Sequence, residues 1–440
     1  MEISFKKSVI AQYFLIYLMY IIPGSCLFAK YLSGNLKYLA LLGLYGWLIV
    51  TKKKYRSAYS LYFCVLFLVS TIFTRIYTGG GAGVGTLFQF MIGVLSTQIA
   101  IYCDKEHFLS RWLKTVTFFA AIGIVFWAVF YAVPSLVNAY PGLSFITGTE
   151  GSKGYERELP GKGVLLYSYL QRHPTRNCGL YTEPGVHQIV LNMTLYVLLF
   201  WQDKLDFKSF KEYRKCVAII LVALVSCQST TGYLGAIMIF TFFFFSSGAE
   251  KKFRGIRSFM VVAVALGVMV LLGDYMFRGE ESILYSQFIQ KLFGDTEGGL
   301  DISEGTGKYR TGTIMVCLDI MARYPLGVGF DQFTIMKDAY GAELVAASLM
   351  QFPAVFGILP WLILLVLLLT PVFIRQKTNL ALLYTFLFVN TTLAQTDLIY
   401  PPFFLIPMYL VGVPKKRTDE PAAGQRLRPR YQQLDSVVKQ

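Results

Sequence analysis

The stretch LPWLILLVLLL, residues 359–369, carries no charged side chain. Such a run neither alternates at the period of a half-buried strand nor leaves the polar stripe of a surface helix, so none of its faces is suited to water. VAIILVALV, residues 217–225, reads the same way. Working outward, the 440 residues are 55% hydrophobic and only 15% charged, against about 25% charged in a soluble domain. The mean hydropathy is +0.51. This composition excludes an ordinary soluble enzyme and points to an all-α polytopic membrane protein.

Apolar segments fall at 9–29, 36–51, 58–76, 84–103, 115–137, 185–201, 216–229, 231–247, 258–273, 347–373, 380–396 and 401–413. The expectation is therefore about twelve transmembrane helices. Several are shorter than the roughly 20 residues of a straight span, so flanking Lys, Tyr and Trp must snorkel or the bilayer must thin. The pair 216–229 and 231–247 also reads as one long interrupted helix. The first segment is followed by KYLSGNLK (30–37) rather than a small-residue cleavage site, and is expected to be a signal anchor.

Basic residues concentrate in TKKKYR (51–56), DKLDFKSFKEYRK (203–215), EKKFRGIR (250–257) and PKKR (414–417). The short connections on the other side hold only Lys30, Lys37 and Arg75. The positive-inside pattern then predicts both termini in the cytoplasm. The net charge of +15 belongs to that inner face, where anionic membrane lipid is the expected partner; nothing calls for nucleic acid. Residues 1–413 read as one membrane domain and 414–440 as a disordered basic cytoplasmic tail. Seven cysteines are scattered. Only Cys178 and Cys317 fall in long outside loops, and their spacing does not establish a pair. With no CxxC and no His cluster, no metal site is expected.

Two long loops face outside, 138–184 and 274–346, and are expected to contain short amphipathic helices. In the second, YRTGTIMVCLDIMARYPLGVGFDQF (309–333) places Ile314, Cys317, Leu318 and Met321 at helical spacing. A helix stopped at Pro325 and a turn at Gly327 and Gly329 follow. EGTGKYR (304–310) resembles a P-loop only superficially, since that motif needs Gly at Ile302 and Ser or Thr at Tyr309. GGGAGVG (79–85) reads as a flexible outer turn. No internal repeat of fixed period is visible.

RNCGLYTEPGVHQIVLN, residues 176–192, puts Arg176, Glu183 and His187 where a helix enters the membrane. One reading is a capped helix start, with Glu183 at the positive end of the helix dipole and Arg176 on lipid phosphate. The other is a polar site near the outer leaflet, because ionisable groups at membrane depth are costly. In SCQSTTGYLGA (226–236), Ser229, Thr230 and Thr231 either cap a tight turn or expose a helix N-terminus to an anionic ligand. Arg310, with Arg278 upstream and Arg323 at the helix end, is either solvated and ion-paired or aimed at a diphosphate.

Taken together these segments resemble the O-antigen polymerase and ligase superfamily of bacterial surface polysaccharide assembly. The resemblance rests on R-x-x-G-x-x-x-E-P (Arg176, Gly179, Glu183, Pro184), S-T-T-G-Y-L (Ser229 to Leu234) and Arg310 followed by P-L-G-V-G-F-D-Q-F (Pro325 to Phe333). It implies a GT-C-like, metal-independent glycosyltransferase without cofactor in the bacterial inner membrane. Undecaprenyl-diphosphate-linked oligosaccharide would serve as donor and acceptor at the periplasmic face, with a chain-length regulator and a flippase as partners. Arg176, Arg310, Arg278, Ser229, Thr230 and Thr231 are the expected diphosphate binders. Glu183 is expected to orient Arg176 or to act as base, with His187 or His173 as the alternative base. The family's ligases use a histidine in the second long loop, and 274–346 contains none. Polymerase is therefore favoured over ligase or protein-glycosylating transferase. A flippase or secondary transporter is the remaining alternative, but would be expected to show repeat symmetry.

Overall fold

A computed structural model describes residues 7–21, 25–28, 36–79, 84–150, 157–163, 165–246, 269, 272–279, 282, 285, 305–339, 347–394 and 401–411. The fold is mostly helical: α1 (Lys7–Ile21), α2 (Leu36–Thr51), α3 (Ala58–Thr78), α4 (Val84–Cys103), α5 (Lys105–Ala132), the single turn α6 (Leu136–Ala139), α7 (Pro184–Phe200), α8 (Phe210–Ser226) and α9 (Thr230–Ser246). Then follow α10 (Gly305–Arg323), α11 (Gly329–Ala339), α12 (Ser348–Phe356), α13 (Ile358–Arg375), α14 (Thr378–Ala394) and α15 (Pro401–Val411). Among the described residues four helices, α3, α4, α5 and α13, are long and apolar enough to cross a membrane. α1, α2, α7, α9 and α14 are shorter and apolar. The tail 414–440 and most of the segment 258–273 lie outside the described residues.

Local sequence explains the helix ends. α3 stops at Gly79, whose φ of +65° lets its N–H reach the carbonyl of Arg75 at 2.9 Å. α8 starts at Ser209, whose hydroxyl accepts from Glu212 N–H at 3.2 Å, while the Glu212 carboxylate accepts from Lys208 N–H at 2.8 Å. This is a variant of the reciprocal capping box.

Burial separates two kinds of helix. Every residue of α7 from Pro184 to Leu199 is buried, including the polar His187, Gln188, Asn192 and Thr194, so the helix is enclosed on all sides by protein. α5, α8, α9 and α15 pack around it. α4 forms a second hub, contacted by α1, α2, α3, α5 and α15. By contrast α13 exposes Leu359, Leu362, Ile363 and Val366. Spaced at i, i+3, i+4 and i+7, they form an apolar stripe of the sort that faces lipid. Phe67 stacks on Phe90 with centroids 3.9 Å apart, and Phe352 meets both edge-on. These rings join α3, α4 and α12. At the other end Gln12 donates to the carbonyls of Ala100 and Asp104, each at 2.8 Å, and Arg111 binds Gln12 and the Asp104 carboxylate. That cluster fixes α1 against the α4–α5 corner.

Two expectations are corrected. The loop 138–184 holds more than the single helical turn α6. It also forms an antiparallel sheet in the order β1 (Leu143–Glu150), β2 (Arg157–Gly163), β3 (Ser168–Leu170), so the protein is not strictly all-α. β1 pairs with β2 from Leu143 opposite Gly163 to Glu150 opposite Arg157, with an irregularity between Ile146 and Gly148. Secondly, the expected span 347–373 is broken at Gly357, where φ is +96°. The Pro325–Gly329 turn docks there: Val328 N–H donates to Ala354 O at 3.0 Å and Ile358 N–H to Pro325 O at 2.9 Å. These bonds take the place of helix continuity. The helix before Pro325 forms as expected, but its buried face is Thr313, Val316, Cys317 and Ile320, while Leu318 is exposed.

Backbone approach makes this junction sensitive. A Cβ at Gly327 (φ +84°) would lie 2.5 Å from the carbonyl oxygen of Val355. Gly327→Ala is therefore expected to destabilise the protein by at least about 1–3 kcal/mol from backbone strain alone. Gly43→Ala, in open space on α2, should be neutral or stabilising by about 0.5–1 kcal/mol. Thermal unfolding of the two variants in detergent checks both; equal midpoints would refute the docking.

Candidate functional site

The site is assembled where the segment after β3 crosses the break between α8 and α9. From Leu170 the chain turns twice, His173 N–H donating to Leu170 O at 2.9 Å and Arg176 N–H to His173 O at 3.1 Å. Asn177 then anchors it. Its N–H donates to Ser226 O at 2.8 Å and its Nδ2 to Ser226 Oγ at 2.9 Å, while Oδ1 accepts from Gly179 N–H at 2.9 Å. The last bond is the local Asx pattern that makes Asn a turn former. Trp127 and Gln228 both donate to the carbonyl of Thr175, at 2.8 and 3.2 Å.

Gln228 holds the break itself. It adopts φ +47°, a left-handed conformation that costs a non-glycine residue about 1 kcal/mol or more. This geometry turns its carbonyl toward Arg176, which donates to it from Nη2. The buried Arg176 Nε has no acceptor among the described residues. Burial lowers the pKa of Arg176 from its usual value, while Glu183 acts in the opposite direction. Guanidinium nevertheless remains charged. The residue after Gln228 is Ser229, whose Oγ accepts from Gly232 N–H at 3.4 Å. Ser229 thus stands at the N-cap position of α9, and Thr230 and Thr231 are its first helical residues. Ser229 and Thr231 are buried.

Glu183 is the N-cap residue of α7 and is exposed. Its side chain makes no cap hydrogen bond. The surrounding protein raises its carboxyl above the ordinary value by desolvation, and Arg172 and Arg176 pull it down. Among the described residues no ion pair joins Glu183 to Arg176. Among the described residues Arg176 is hydrogen-bonded to the carbonyl of Gln228 instead.

His187 is corrected in place. It was expected at the rim with Arg176 and Glu183, but it is buried, with 4% of its surface exposed. Nδ1 lies 3.3 Å from Asn177 O and 3.4 Å from Cys227 Sγ. The ring lies over Gly179, where φ is +57° and a Cβ would come within 2.8 Å of the imidazole. His187 clamps the loop from behind. A hollow of about 10 Å³, lined by Tyr20, Gly179, Tyr181 and His187 among others, has room for about one water.

Arg278 and Arg323 are not brought to this place by any contact among the described residues. Arg278 is exposed and paired with Asp274 at 3.5 Å, and Arg323 pairs with Asp319 at 3.0 Å. Arg310 lies on α10. His173 precedes Arg176 in the same turn and is half-buried. Cys178 and Cys317 are both buried free thiols. Among the described residues no group of three or more His, Cys, Asp or Glu is placed to hold a metal ion.

The sequence reading missed the residues that set the α7–α9 distance. A Cβ at Gly232 would stand 2.9 Å from Gln188 Cβ, and one at Gly235 would stand 2.8 Å from Asn192 Nδ2. Asn192 Nδ2 donates to Gln188 Oε1 at 2.9 Å and to Gly232 O at 3.0 Å. Asn390 donates to Thr231 O at 3.1 Å. The available signal was a pair of amides one turn apart on an otherwise apolar helix. Arg172, which acts on Glu183, was missed too; it stands one residue before His173 in QRHPTR (171–176). No protein-family model, curated protein or solved structure matches the chain.

The Gly179–His187 contact can be measured as a coupling. Gly179→Ala alone should be strongly destabilising. In a His187→Ala background the same substitution should cost less, with a coupling energy of about 1–3 kcal/mol by double-mutant cycle. Strict additivity would mean that the ring does not cover Gly179.

Proposed function

We propose that this chain is a metal-independent glycosyltransferase of the inner membrane that polymerises undecaprenyl-diphosphate-linked oligosaccharide repeats at the periplasmic face. The observation that carries the reading is Arg176: half-buried, held at one end by the Gln228 carbonyl, and left with a buried Nε that has no acceptor among the described residues. It sits beside the first turn of α9. A guanidinium and a helix N-terminus together suit a phosphate group. The motif resemblance supplies the substrate class.

In this reading a hydroxyl of the incoming repeat attacks the anomeric carbon of the growing chain. The C–O bond to the diphosphate breaks as the new glycosidic bond forms, and the hydroxyl proton passes to Glu183 or to solvent. Negative charge that develops on the departing diphosphate is met by Arg176 and the positive N-terminal end of the α9 dipole. Fixed donors of this kind act without reorganising during the reaction. Glu183 is open to the outer surface, whereas His187 is enclosed and keeps the loop in place. The motif resemblance adds Arg310 and Arg278 as further diphosphate binders.

Deleting the gene and restoring it on a plasmid tests the reading. Loss should leave lipid A core with a single repeat and no ladder; full-length chains stranded on lipid diphosphate would indicate a ligase, and repeats trapped on the inner leaflet a flippase. Arg176→Ala should lower the polymerisation rate by about 10²–10³-fold, the usual cost of removing one charge-stabilising donor. Arg176→Lys should recover part of it, since it restores charge without the fork. Where Glu183 serves as base, the rate falls as pH drops through its raised pKa, above the ordinary value near 4.3. Glu183→Gln then removes that acid limb; an unchanged limb assigns the proton to solvent.

A further inference from the structure

At the far end of α7 from Arg176, about 25 Å away for 17 residues of helix, a second group of cations converges. Lys105 opens α5, Lys204 closes the short turn after α7, and Arg375 ends α13. Between them lie two buried rings, Trp201 and Tyr409, with centroids 5.5 Å apart. Lys204 Nζ stands 4.3 Å above the Trp201 ring and 5.7 Å from that of Tyr409. Lys105 Nζ stands 5.6 Å from the Tyr409 ring and 5.9 Å from that of Tyr102. Arg375 ends α13, which packs on α15, the helix that carries Tyr409.

Two buried donors here lack an acceptor among the described residues: Lys105 Nζ and Nε2 of Gln376, the residue after Arg375. Gln376 is held by its other end, where Oε1 accepts from Tyr196 at 2.5 Å. Two carboxylates are near: Asp203 acts on Lys204 and, with Asp206, on Tyr409. Asp206 is engaged by Ser110, accepting from its hydroxyl at 3.3 Å and donating its N–H to it at 2.7 Å. Among the described residues neither carboxylate forms an ion pair with Lys105, Lys204 or Arg375. Ring faces attract ammonium groups but satisfy only part of their hydrogen-bonding capacity. A buried ammonium without an acceptor, with two further positive charges beside it, calls for an anion.

We propose that Lys105, Lys204 and Arg375, around the Trp201–Tyr409 ring pair, form a phosphate-binding site. The cluster lies at the end of the bundle to which the basic-loop pattern assigns the cytoplasm. There the phosphate belongs either to an anionic phospholipid headgroup or to free phosphate. Trp and Tyr sit at headgroup level in membrane proteins, and exposed Arg375 opens the cluster toward the surface. The site does not depend on the transferase reading: a chain that proves not to polymerise glycans still has it.

The full-length chain, purified in detergent and stripped of lipid, is the material for the test. Its unfolding midpoint is followed while phosphatidylglycerol, phosphatidylcholine of the same acyl chains, or inorganic phosphate is added. Phosphatidylglycerol should raise the midpoint by a few degrees and phosphatidylcholine should not, because binding to the native state alone stabilises it. Inorganic phosphate giving the same rise supports the site and makes free phosphate its source. The rise should disappear in Lys105→Gln/Arg375→Gln and shrink in Lys204→Gln; the latter carries the test if the double variant does not fold. It should survive in Lys53→Gln/Lys211→Gln, which removes two exposed charges outside the cluster. The proposal is overturned if no anion shifts the midpoint, if the cluster variants keep the shift, or if the control pair loses it equally.

Discussion

Enclosure of α7 by protein on every side is the constraint from which both ends of the molecule take their form. A helix surrounded by lipid can carry large side chains outward, but α7 must accept neighbours at backbone distance. Gly232 and Gly235 on α9 provide that distance, and the amides of Gln188 and Asn192 occupy the space the missing side chains leave. Because hydrocarbon offers these helices no hydrophobic gain over lipid, close packing and interhelical hydrogen bonds hold them together. Gly179 repeats the device in the loop, where the His187 ring takes the place of a Cβ. The loop bearing Arg176 is therefore positioned by contacts made inside the bundle.

The two ends of α7 treat positive charge differently. At the Arg176 end one guanidinium is tied to a carbonyl whose residue is in a left-handed conformation, so a local backbone cost fixes the direction of a single charge. At the other end three cations spread around two rings, with less geometric definition and more exposure. A guanidinium held in one direction can discriminate between a ground state and a transition state, because it need not move as charge develops. A looser cluster of ammonium groups suits equilibrium binding of an anion.

Much of this was legible in the sequence. Uncharged runs such as 359–369 announced apolar helices, and the Pro325 stop and the Gly327–Gly329 turn appeared where composition put them. What was illegible depended on distant partners. Gly357, with Pro360 three residues on, was an available stop signal inside 347–373; what it did not reveal was the docking partner, since the bonds that replace the helix come from Pro325 and Val328. The sheet in 138–184 was obscured by glycines, although Phe145, Ile146, Thr147 and Thr149 gave a β signal. His187 drew attention as a titratable group, yet its burial is decided by Gly179 and Asn177. The buried face of α10 was misread by one position, because hydrophobic spacing alone does not say which side meets α12.

Central to the account is that Arg176 and the start of α9 stabilise a diphosphate leaving group. The most direct test is reconstitution of the purified chain in liposomes with a lipid-diphosphate-linked oligosaccharide, with product length followed on gels in the presence of a chelator. A ladder that forms with chelator present and collapses to single units in the Arg176→Ala protein, itself folded by size-exclusion chromatography, is the predicted result. A ladder made equally well by that variant would contradict it.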